Sequence, residues 1–314
     1  MFNILKFLIP LALLLIIGCG NKDTESIRIG INQWPGYEPI YAAKVKGLFK
    51  KNGLNVEILE YFSLNDVKLA YEKGQVDIMC STLIEMIKAY DDSGISAKVL
   101  IPTDFSNGPD VIISRNNINS TEKLKGKRIG VEKGTLGIYM LFRALEKANL
   151  RLNDIEIYPV DQTNMAQAFL ENKIDVAVTY PPFSVNILKQ IKGSKEVFNS
   201  GDIPYEIIDV LVVKNELLNK TPKLKEKVNK VWNESLNLLK TNEKEMIEIM
   251  ANREGISPKE FKEIMDGLVY LDYEKQKELY QEDNKLTKVI SKTIEVLFQS
   301  KEIKTKMNAS IFLD

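Results

Sequence analysis

Two aromatic side chains in the stretch NQWPGYEP, residues 32–39, have the chemistry to hold a small molecule. The stretch follows a strand-like apolar run, residues 27–31, and precedes a helix-like run that begins at Ile40. A tight connection between a strand and a helix uses Pro and Gly for its turn geometry, but it does not require two large rings. We therefore expect Trp34 and Tyr37 to form a stacking platform for a flat or apolar ligand. The alternative is that both rings pack only against their own domain.

Small or hydroxyl-bearing residues follow three further strand-like runs, where helices are expected to start. They are Ser81 and Thr82 after residues 76–80, Thr135 and Gly137 after residues 128–131, and Tyr180 after residues 174–178. The N-terminus of a helix presents unpaired N–H groups and a partial positive charge, which suits an oxyanion or a carbonyl group of a ligand. Helix capping alone is the alternative role for the serine and the two threonines, and the two roles are compatible.

A polar turn, SNGPD at residues 106–110, supplies two more candidates for ligand contact, Ser106 and Asp110. The Ser-Asn-Gly-Pro turn chemistry by itself accounts for Ser106. Asp110 is expected either to pair with a cationic group of the ligand or to hydrogen-bond within the turn.

The composition of the chain argues for binding rather than for catalysis. There is no histidine, which removes the commonest general base and the commonest metal ligand. Two cysteines, Cys19 and Cys80, cannot build a zinc site, an iron–sulfur site or a disulfide framework, and Cys80 is interpreted as a buried small hydrophobe. The 43 basic and 43 acidic residues balance, which argues against a nucleic-acid partner. We predict no catalytic residue, no metal and no cofactor.

The same order of short motifs occurs twice along the chain. RIGI at 28–31 matches RIGV at 128–131, NVEI at 55–58 matches DIEI at 154–157, and residues 70–78 match residues 168–176. Helical segments between short apolar strands indicate parallel βαβ units. The sequence therefore predicts an α/β protein with two similar βαβ lobes and a ligand cleft between them, at the carboxyl ends of the strands.

Capping residues predict where several helices begin. Ser63 with Asp66 forms a capping pattern before residues 67–73, and Thr163 or Asn164 is expected to cap residues 165–172. Ser257 is predicted as the N-cap of a later helix, since Pro follows it directly and Glu260 lies at the third helical position.

Two matching apolar runs, residues 110–115 and 209–214, are interpreted as the places where the chain crosses between the lobes. The predicted organisation is lobe one over residues 27–113, lobe two over residues 114–209, and a return to lobe one over residues 210–314. The last segment is helical and charged, and its helices are expected to pack on lobe one with Trp232 in the core.

The N-terminus is predicted to be a lipoprotein signal peptide of residues 1–18. Its apolar stretch, residues 7–17, is shorter than the roughly 20 residues of a membrane-spanning helix but suits a signal peptide. The segment ends in Gly18-Cys19, which resembles the lipobox of bacterial lipoproteins, where the cysteine carries diacylglycerol and palmitate. Such an anchor on Cys19, with residues 19–26 as a tether, places the protein on the extracytoplasmic face of the membrane or in the periplasm. An ordinary signal peptide with an incidental cysteine is the alternative.

The order of the motifs resembles one protein family. WPGYEP at 34–39, GLF at 47–49, GQVD at 74–77, SNGPD at 106–110 and DVLVV at 209–213 resemble the nitrate/sulfonate/taurine-type substrate-binding proteins of ABC transporters, which include binders of thiamine precursors. The resemblance covers nearly all of the mature chain and implies a periplasmic-binding protein type II fold. GTLG at 134–137 lacks the histidine of sulfonate-type members, and Tyr180-Pro181-Pro182 lacks the acidic residue of the family's aromatic-Glu-Pro triplet.

The expected function is capture of a small organic molecule, heteroaromatic or anionic, by hinge closure of the two lobes. The resemblance implies a membrane permease with its ATPase as partners, and a monomeric binding protein. Two alternatives remain open. One is an enzyme of the thiamine-pyrimidine synthase type, which in that family uses a histidine and a cysteine cluster. The other is a sensory binding protein that docks on a receptor.

Overall fold

The computed structural model describes residues 26–115, 117–281 and 284–313. The strands in these ranges are β1 (Ile27–Ile31), β2 (Val56–Glu60), β3 (Ile78–Thr82), β4 (Ala97–Ser106), β5 (Val111–Ser114), β6 (Arg128–Val131), β7 (Glu156–Pro159), β8 (Val176–Thr179), β9 (Lys195–Asn199), β10 (Ile208–Lys214) and β11 (Leu268–Tyr270). The helices are α1 (Glu38–Val45), α2 (Leu48–Lys51), α3 (Leu64–Glu72), α4 (Leu83–Ser93), α5 (Leu136–Lys147), α6 (Gln162–Leu170), α7 (Phe183–Gln190), α8 (Asn215–Lys220), α9 (Leu224–Thr241), α10 (Glu243–Glu254), α11 (Pro258–Met265), α12 (Tyr273–Gln281) and α13 (Lys285–Gln299).

The strands form two sheets with the same plan. Sheet one has the order β11-β4-β10-β3-β1-β2, and sheet two has the order β7-β6-β8-β5-β9. Read from β2, the first five strands of sheet one match the five strands of sheet two one for one. In each sheet the two βαβ units are parallel, and one further strand, β10 or β5, inserts antiparallel to its neighbours. The predicted α/β fold with two similar lobes is confirmed.

An identical ion pair marks the start of both repeats. In sheet one the Arg28 guanidinium donates to both carboxylate oxygens of Asp77, at 3.0 and 2.7 Å, and its backbone N–H donates at 2.9 Å. In sheet two Arg128 repeats these three bonds to Asp175, at 3.1, 2.8 and 3.0 Å. The planar guanidinium fits a carboxylate with two parallel bonds, so this pair fixes the register between neighbouring strands.

The predicted helix starts are borne out at three positions and wrong at one. The side chains of Ser63 and Ser257 accept hydrogen bonds from the backbone N–H groups of Asp66 and Glu260, as a capping residue does. Thr135 is the N-cap of α5. The sequence prediction for α6 fails, because the helix begins after Asp161 rather than after Thr163 or Asn164.

Two segments carry the chain between the sheets. The first, residues 107–110, links β4 of sheet one to β5 of sheet two, and the second, residues 200–207, links β9 to β10. The predicted boundary at residue 113 falls inside β5, which pairs along its whole length with β8 and β9. The chain therefore leaves sheet one directly after Ser106, where Gly108 at φ 132° makes the turn.

The C-terminal helices pack on lobe one. α9 and α10 contact α1, and the hydroxyl of Ser235 on α9 donates to the backbone oxygen of Pro39 at 2.6 Å. Trp232 is fully buried, as predicted, and its indole N–H donates to the Leu271 oxygen at 2.8 Å. The helices thereby hold the loop that follows β1 in a fixed position.

The predicted signal peptide, the lipidation site Cys19 and most of the tether lie outside the described residues. Within residues 26–115, 117–281 and 284–313, no helix combines the length and apolar character needed to cross a membrane.

Candidate functional site

Trp34 and Tyr180 meet between the lobes. Trp34 follows β1 of sheet one, and Tyr180 follows β8 of sheet two. Their ring centroids lie 6.0 Å apart with an interplanar angle of 86°, an edge-to-face arrangement. Tyr180 makes a second edge-to-face contact with Phe183, at 5.6 Å. The structure thus brings together the predicted stacking residue Trp34 and the candidate ligand contact Tyr180, one from each lobe.

Tyr37 lies deeper than the prediction supposed. Its ring is fully buried in the core, and its hydroxyl donates to Oδ1 of Asp209 at 2.5 Å. Trp34 and Tyr180 are almost as deeply buried, at 4% and 5% exposed, but within the described residues the Trp34 N–H and the Tyr180 hydroxyl form no well-aligned hydrogen bond of the kind that engages Tyr37. The role of Tyr37 in the site is therefore to orient Asp209.

Gly36 allows Trp34 and Asp104 to approach each other. A Cβ atom at position 36 would lie 2.4 Å from the indole nitrogen of Trp34 and 2.4 Å from Oδ2 of Asp104. No real Cβ atom tolerates such contacts, so the turn requires glycine for space. The turn thereby places an aromatic ring and a buried carboxylate side by side at the end of β1.

The helix starts in the cleft are already occupied by groups of the chain. Glu85 on α4 of lobe one accepts from the backbone N–H of Leu136, the first residue of α5 in lobe two, at 2.7 Å. The Thr135 hydroxyl accepts from the N–H of Gly137 at 3.3 Å, and the Thr82 hydroxyl accepts from the N–H of Ile84 at 3.0 Å. The N–H groups predicted to hold an oxyanion are therefore bound to a carboxylate and to two capping hydroxyls.

The remaining predicted hydroxyl residues form internal hydrogen bonds. Ser81 donates to the Thr82 oxygen at 2.9 Å. Ser106 lies 2.8 Å from the hydroxyl of Ser200, which also accepts from the N–H of Gly108 at 2.7 Å. Ser106 therefore ties the first crossing segment to the second, at the place where a hinge between the lobes would bend.

Four buried carboxylates lie around these aromatic and hinge residues. Asp104, Asp110, Asp209 and Glu132 are 0%, 2%, 1% and 3% exposed. Asp104 and Asp209 are register partners on β4 and β10. Within the described residues, no well-aligned hydrogen bond reaches either oxygen of Asp104 or of Glu132, or one oxygen each of Asp110 and Asp209. Polar side chains nevertheless lie close enough to affect them: Trp34 and Thr103 beside Asp104, Ser106 beside Asp110 and Ser63 beside Glu132. Of the four acids, only Asp110 was expected from the sequence.

Burial disfavours the charged forms of these acids. It raises the pKa of Asp104 and of Asp110 to about 7, and that of Glu132 to about 8. The pKa of Asp209 lies well above its usual value, because of burial and because of the neighbouring Asp104 charge. Glu85 also has a raised pKa through burial, although Thr82 and the Leu136 N–H oppose the rise.

Sequence reasoning could have found two of the missed acids. Glu132 directly follows β6, and Asp104 lies two residues before the end of β4. The search for functional residues at strand ends applies to both positions as it did to Trp34. Cys80, by contrast, is buried in sheet one as expected, and burial raises the pKa of its thiol.

The acids of the cleft do not form a metal centre. Among the residues that the structure describes, no three or more His, Cys, Asp or Glu side chains converge as ligands. The carboxylates come instead from both lobes and from the first crossing: Asp104 and Asp209 from sheet one, Glu132 from lobe two and Asp110 from the crossing.

The fold and the loop after β1 agree with one known family. The family described as NMT1/THI5 like matches residues 34–246, which is more than half of the chain. The chain belongs to this family. A putative binding protein of Brucella abortus is 26% identical over 250 residues, covering 77% of this chain and 75% of that protein. An enzyme is also among the similar proteins: a 4-amino-5-hydroxymethyl-2-methylpyrimidine phosphate synthase of Schizosaccharomyces pombe is 28% identical over 145 residues, 45% of this chain and 40% of the enzyme.

Solved structures share the two-lobed fold of this NMT1/THI5-like chain. The alkanesulfonate-binding protein SsuA from Xanthomonas axonopodis, bound to MOPS, has a TM-score of 0.78 at 15% identity, covering 92% of this chain and 98% of that one. A ligand-binding component of an ABC-type import system from Staphylococcus aureus, with zinc bound, has a TM-score of 0.74 at 15% identity, covering 92% and 96%. The predicted periplasmic-binding protein type II fold is confirmed.

Proposed function

We propose that this protein is the extracytoplasmic substrate-binding component of an ABC importer, and that it captures a small organic molecule between its two lobes. Family membership, relatives named as binding proteins and the fold of import-system neighbours support this assignment. The observation that carries it is the meeting of Trp34 and Tyr180, since each ring follows a strand of a different sheet. A ligand at this place contacts both lobes at once.

Binding and closure are linked through the hinge. The crossing segments are bonded to each other by Ser106 and Ser200, while Glu85 on one lobe bonds the N–H of Leu136 on the other. A ligand that contacts both lobes stabilises the closed form by its differential affinity for that form. The closed form then docks on the permease, and no bond of the ligand is made or broken.

The proposed ligand contacts are Trp34, Tyr180, Asp110 and the newly found Asp104, Asp209 and Glu132. Six other predicted contacts are assigned instead to positioning the site, because their polar groups or rings are already engaged within the protein. They are Tyr37, Ser81, Thr82, Ser106, Thr135 and Gly137. Lipidation of Cys19, which tethers the protein to the membrane, is part of the same proposal. An enzymatic role is less well supported: the chain has no histidine, and burial raises the pKa of the Cys80 thiol.

Native mass spectrometry of the gently purified protein tests the binding function. We expect a discrete non-covalent added mass, or stabilisation by a metabolite extract of the host. Trp34→Ala is expected to keep its fold and to weaken binding about tenfold or more, because a central aromatic contact is removed. Tyr273→Ala, at a ring that is 60% exposed, is the matched control. If no mass is retained and no extract fraction stabilises the protein, the proposed function is wrong.

A further inference from the structure

The buried acids of the cleft can ionise readily only when a positive charge lies beside them, since burial favours their neutral forms. A buried ionised carboxylate is stable only when it is paired or hydrogen-bonded. Two other buried acids follow this rule: Glu38 pairs with Arg253, and Glu206 pairs with Arg143 at 2.9 Å and with Lys292 at 2.7 Å. Glu254, which is 2% exposed, has no hydrogen-bond partner among the described residues but is affected electrostatically by Arg253. Asp104, Asp110, Asp209 and Glu132 take part in no ion pair between residues 26–115, 117–281 and 284–313.

These four carboxylates lie close to one another in the region between the lobes. Asp104 and Asp209 face each other across β4 and β10, where like charges repel. Asp110 is affected electrostatically by Asp104 and by Glu85, and Glu132 is affected by the same Glu85. Asp104 lies beside the Trp34 indole nitrogen at Gly36 and opposite Asp209, and Glu132 and Asp110 affect Tyr180 electrostatically, so the four carboxylates lie near the place where Trp34 and Tyr180 meet. The negative charge is thus concentrated at the proposed ligand site.

The same site is poorly suited to an anion. The N–H groups at the start of α5 are taken by Glu85 and Thr135. A sulfonate or carboxylate would enter among four buried acids with no lysine or arginine paired to any of them in the described residues. A bare metal ion is also disfavoured, since the acids do not converge as ligands there. The two aromatic rings, in contrast, favour an organic cation, which is attracted to a π-face.

We propose that the interlobe site binds a small organic cation that carries an ammonium, amidinium or guanidinium group. This inference rests on the proposed binding function. The positive group pairs with Asp104 and Asp209, its N–H donors reach Asp110 and Glu132, and its apolar part lies against Trp34 and Tyr180. The ligand then supplies charge, hydrogen bonds and stacking to carboxylate oxygens and rings that form no well-aligned hydrogen bond within the described part of the chain.

A charge-sorted panel of probes tests this inference by thermal shift and titration calorimetry. The cations are putrescine, agmatine, choline and benzamidine; the anions are ethanesulfonate and sulfate; the neutral probe is 4-amino-5-hydroxymethyl-2-methylpyrimidine. We expect at least one cation to raise Tm and no anion to do so. Asp104→Asn combined with Asp209→Asn should weaken binding of that cation roughly 30-fold or more, as expected for loss of a buried charge partner.

The control variants separate loss of binding from loss of folding. Glu248→Gln removes an exposed acid on α10 and should leave the affinity for the cation unchanged. The Asn substitutions preserve side-chain shape and remove unpaired buried charge, so the unliganded variants should still unfold cooperatively. If the double variant does not fold, Asp110→Asn alone is used in its place. Binding of a cation that survives these substitutions overturns the inference.

The outcomes also distinguish the two proposals. Stabilisation by an anion or by the neutral pyrimidine only, lost in Trp34→Ala, overturns the cation inference but leaves the binding function in place. Failure of every probe, together with no added mass in native mass spectrometry, overturns both.

Discussion

At the scale of single residues, the space around Gly36 controls the geometry of the site. Gly36→Ala would bring a Cβ atom to 2.4 Å from both the Trp34 indole nitrogen and the Asp104 carboxylate. Because both groups have to move, we expect ligand affinity to fall by about tenfold or more, as for loss of a central binding contact.

The Gly36 prediction is checked by titration calorimetry with the co-purified ligand, and by far-UV circular dichroism for the fold. An unchanged affinity would mean that Trp34 and Asp104 do not act at fixed positions. A loss of cooperative unfolding would show instead that the turn supports the core through α1.

The residues of the site were only partly predictable from sequence. Trp34 was proposed because a large ring at a strand end has no role in turn geometry, and Tyr180 because it follows a strand where a helix was expected to start. The hydroxyl residues fitted a helix cap and a ligand contact equally well, and Thr82 and Thr135 proved to be caps. Asp104 was missed because it lies within a ten-residue strand, two residues before its end, whereas the prediction took only residues that follow a strand.

At the scale of elements, the two lobes repeat one structural device. Arg28 and Asp77 in lobe one, and Arg128 and Asp175 in lobe two, form three-bond pairs with nearly equal distances. The Arg side chains of both pairs are 37% exposed, so solvent screening limits their contribution. The equivalent bonding predicts that the two pairs contribute similarly to folding.

Asp77→Asn and Asp175→Asn are therefore expected to lower the free energy of unfolding by about 1 kcal/mol each. Urea titration at neutral pH measures the effect, and exposed Glu248→Gln serves as the control. Arg28 lowers the pKa of Asp77 and Arg128 lowers that of Asp175, overcoming the effect of burial. The stability that each Arg–Asp pair contributes is therefore fully present above a pH of roughly 4, where the Asp is ionised, and it is lost as the pH falls further and the Asp is protonated. A large effect in one lobe only would show that the repeat is not energetically equivalent.

The elements themselves were largely readable from the sequence. Short apolar runs separated by capped helices predicted both βαβ units, because strand periodicity and capping act locally. The start of α6 was placed too late, since Asp161, Thr163 and Asn164 are all capable caps within four consecutive residues. The first crossing was placed at residue 113 rather than at residues 107–110, because an apolar run does not reveal which of two sheets it joins.

At the scale of the whole molecule, the buried acids make stability depend on pH in an unusual direction. Asp104, Asp110 and Glu132 have pKa values of about 7, 7 and 8 in the folded protein, and Asp209 is also raised. In the unfolded chain such groups titrate near pH 4, roughly. Between these values the folded state binds more protons than the unfolded state, so the free energy of unfolding falls as pH rises.

We therefore expect the unliganded protein to lose on the order of a few kcal/mol of stability between about pH 5 and pH 8. Denaturant titration across this range measures the loss, and Asp104→Asn should reduce it, whereas Glu248→Gln should not. A bound cation should reduce it as well, because the cation supplies the charge that the carboxylates lack. Opening of the lobes is an alternative to unfolding, since it also returns the ionised acids to water. A radius of gyration that rises with pH while stability stays constant would contradict the expected loss and show that these carboxylates control closure instead.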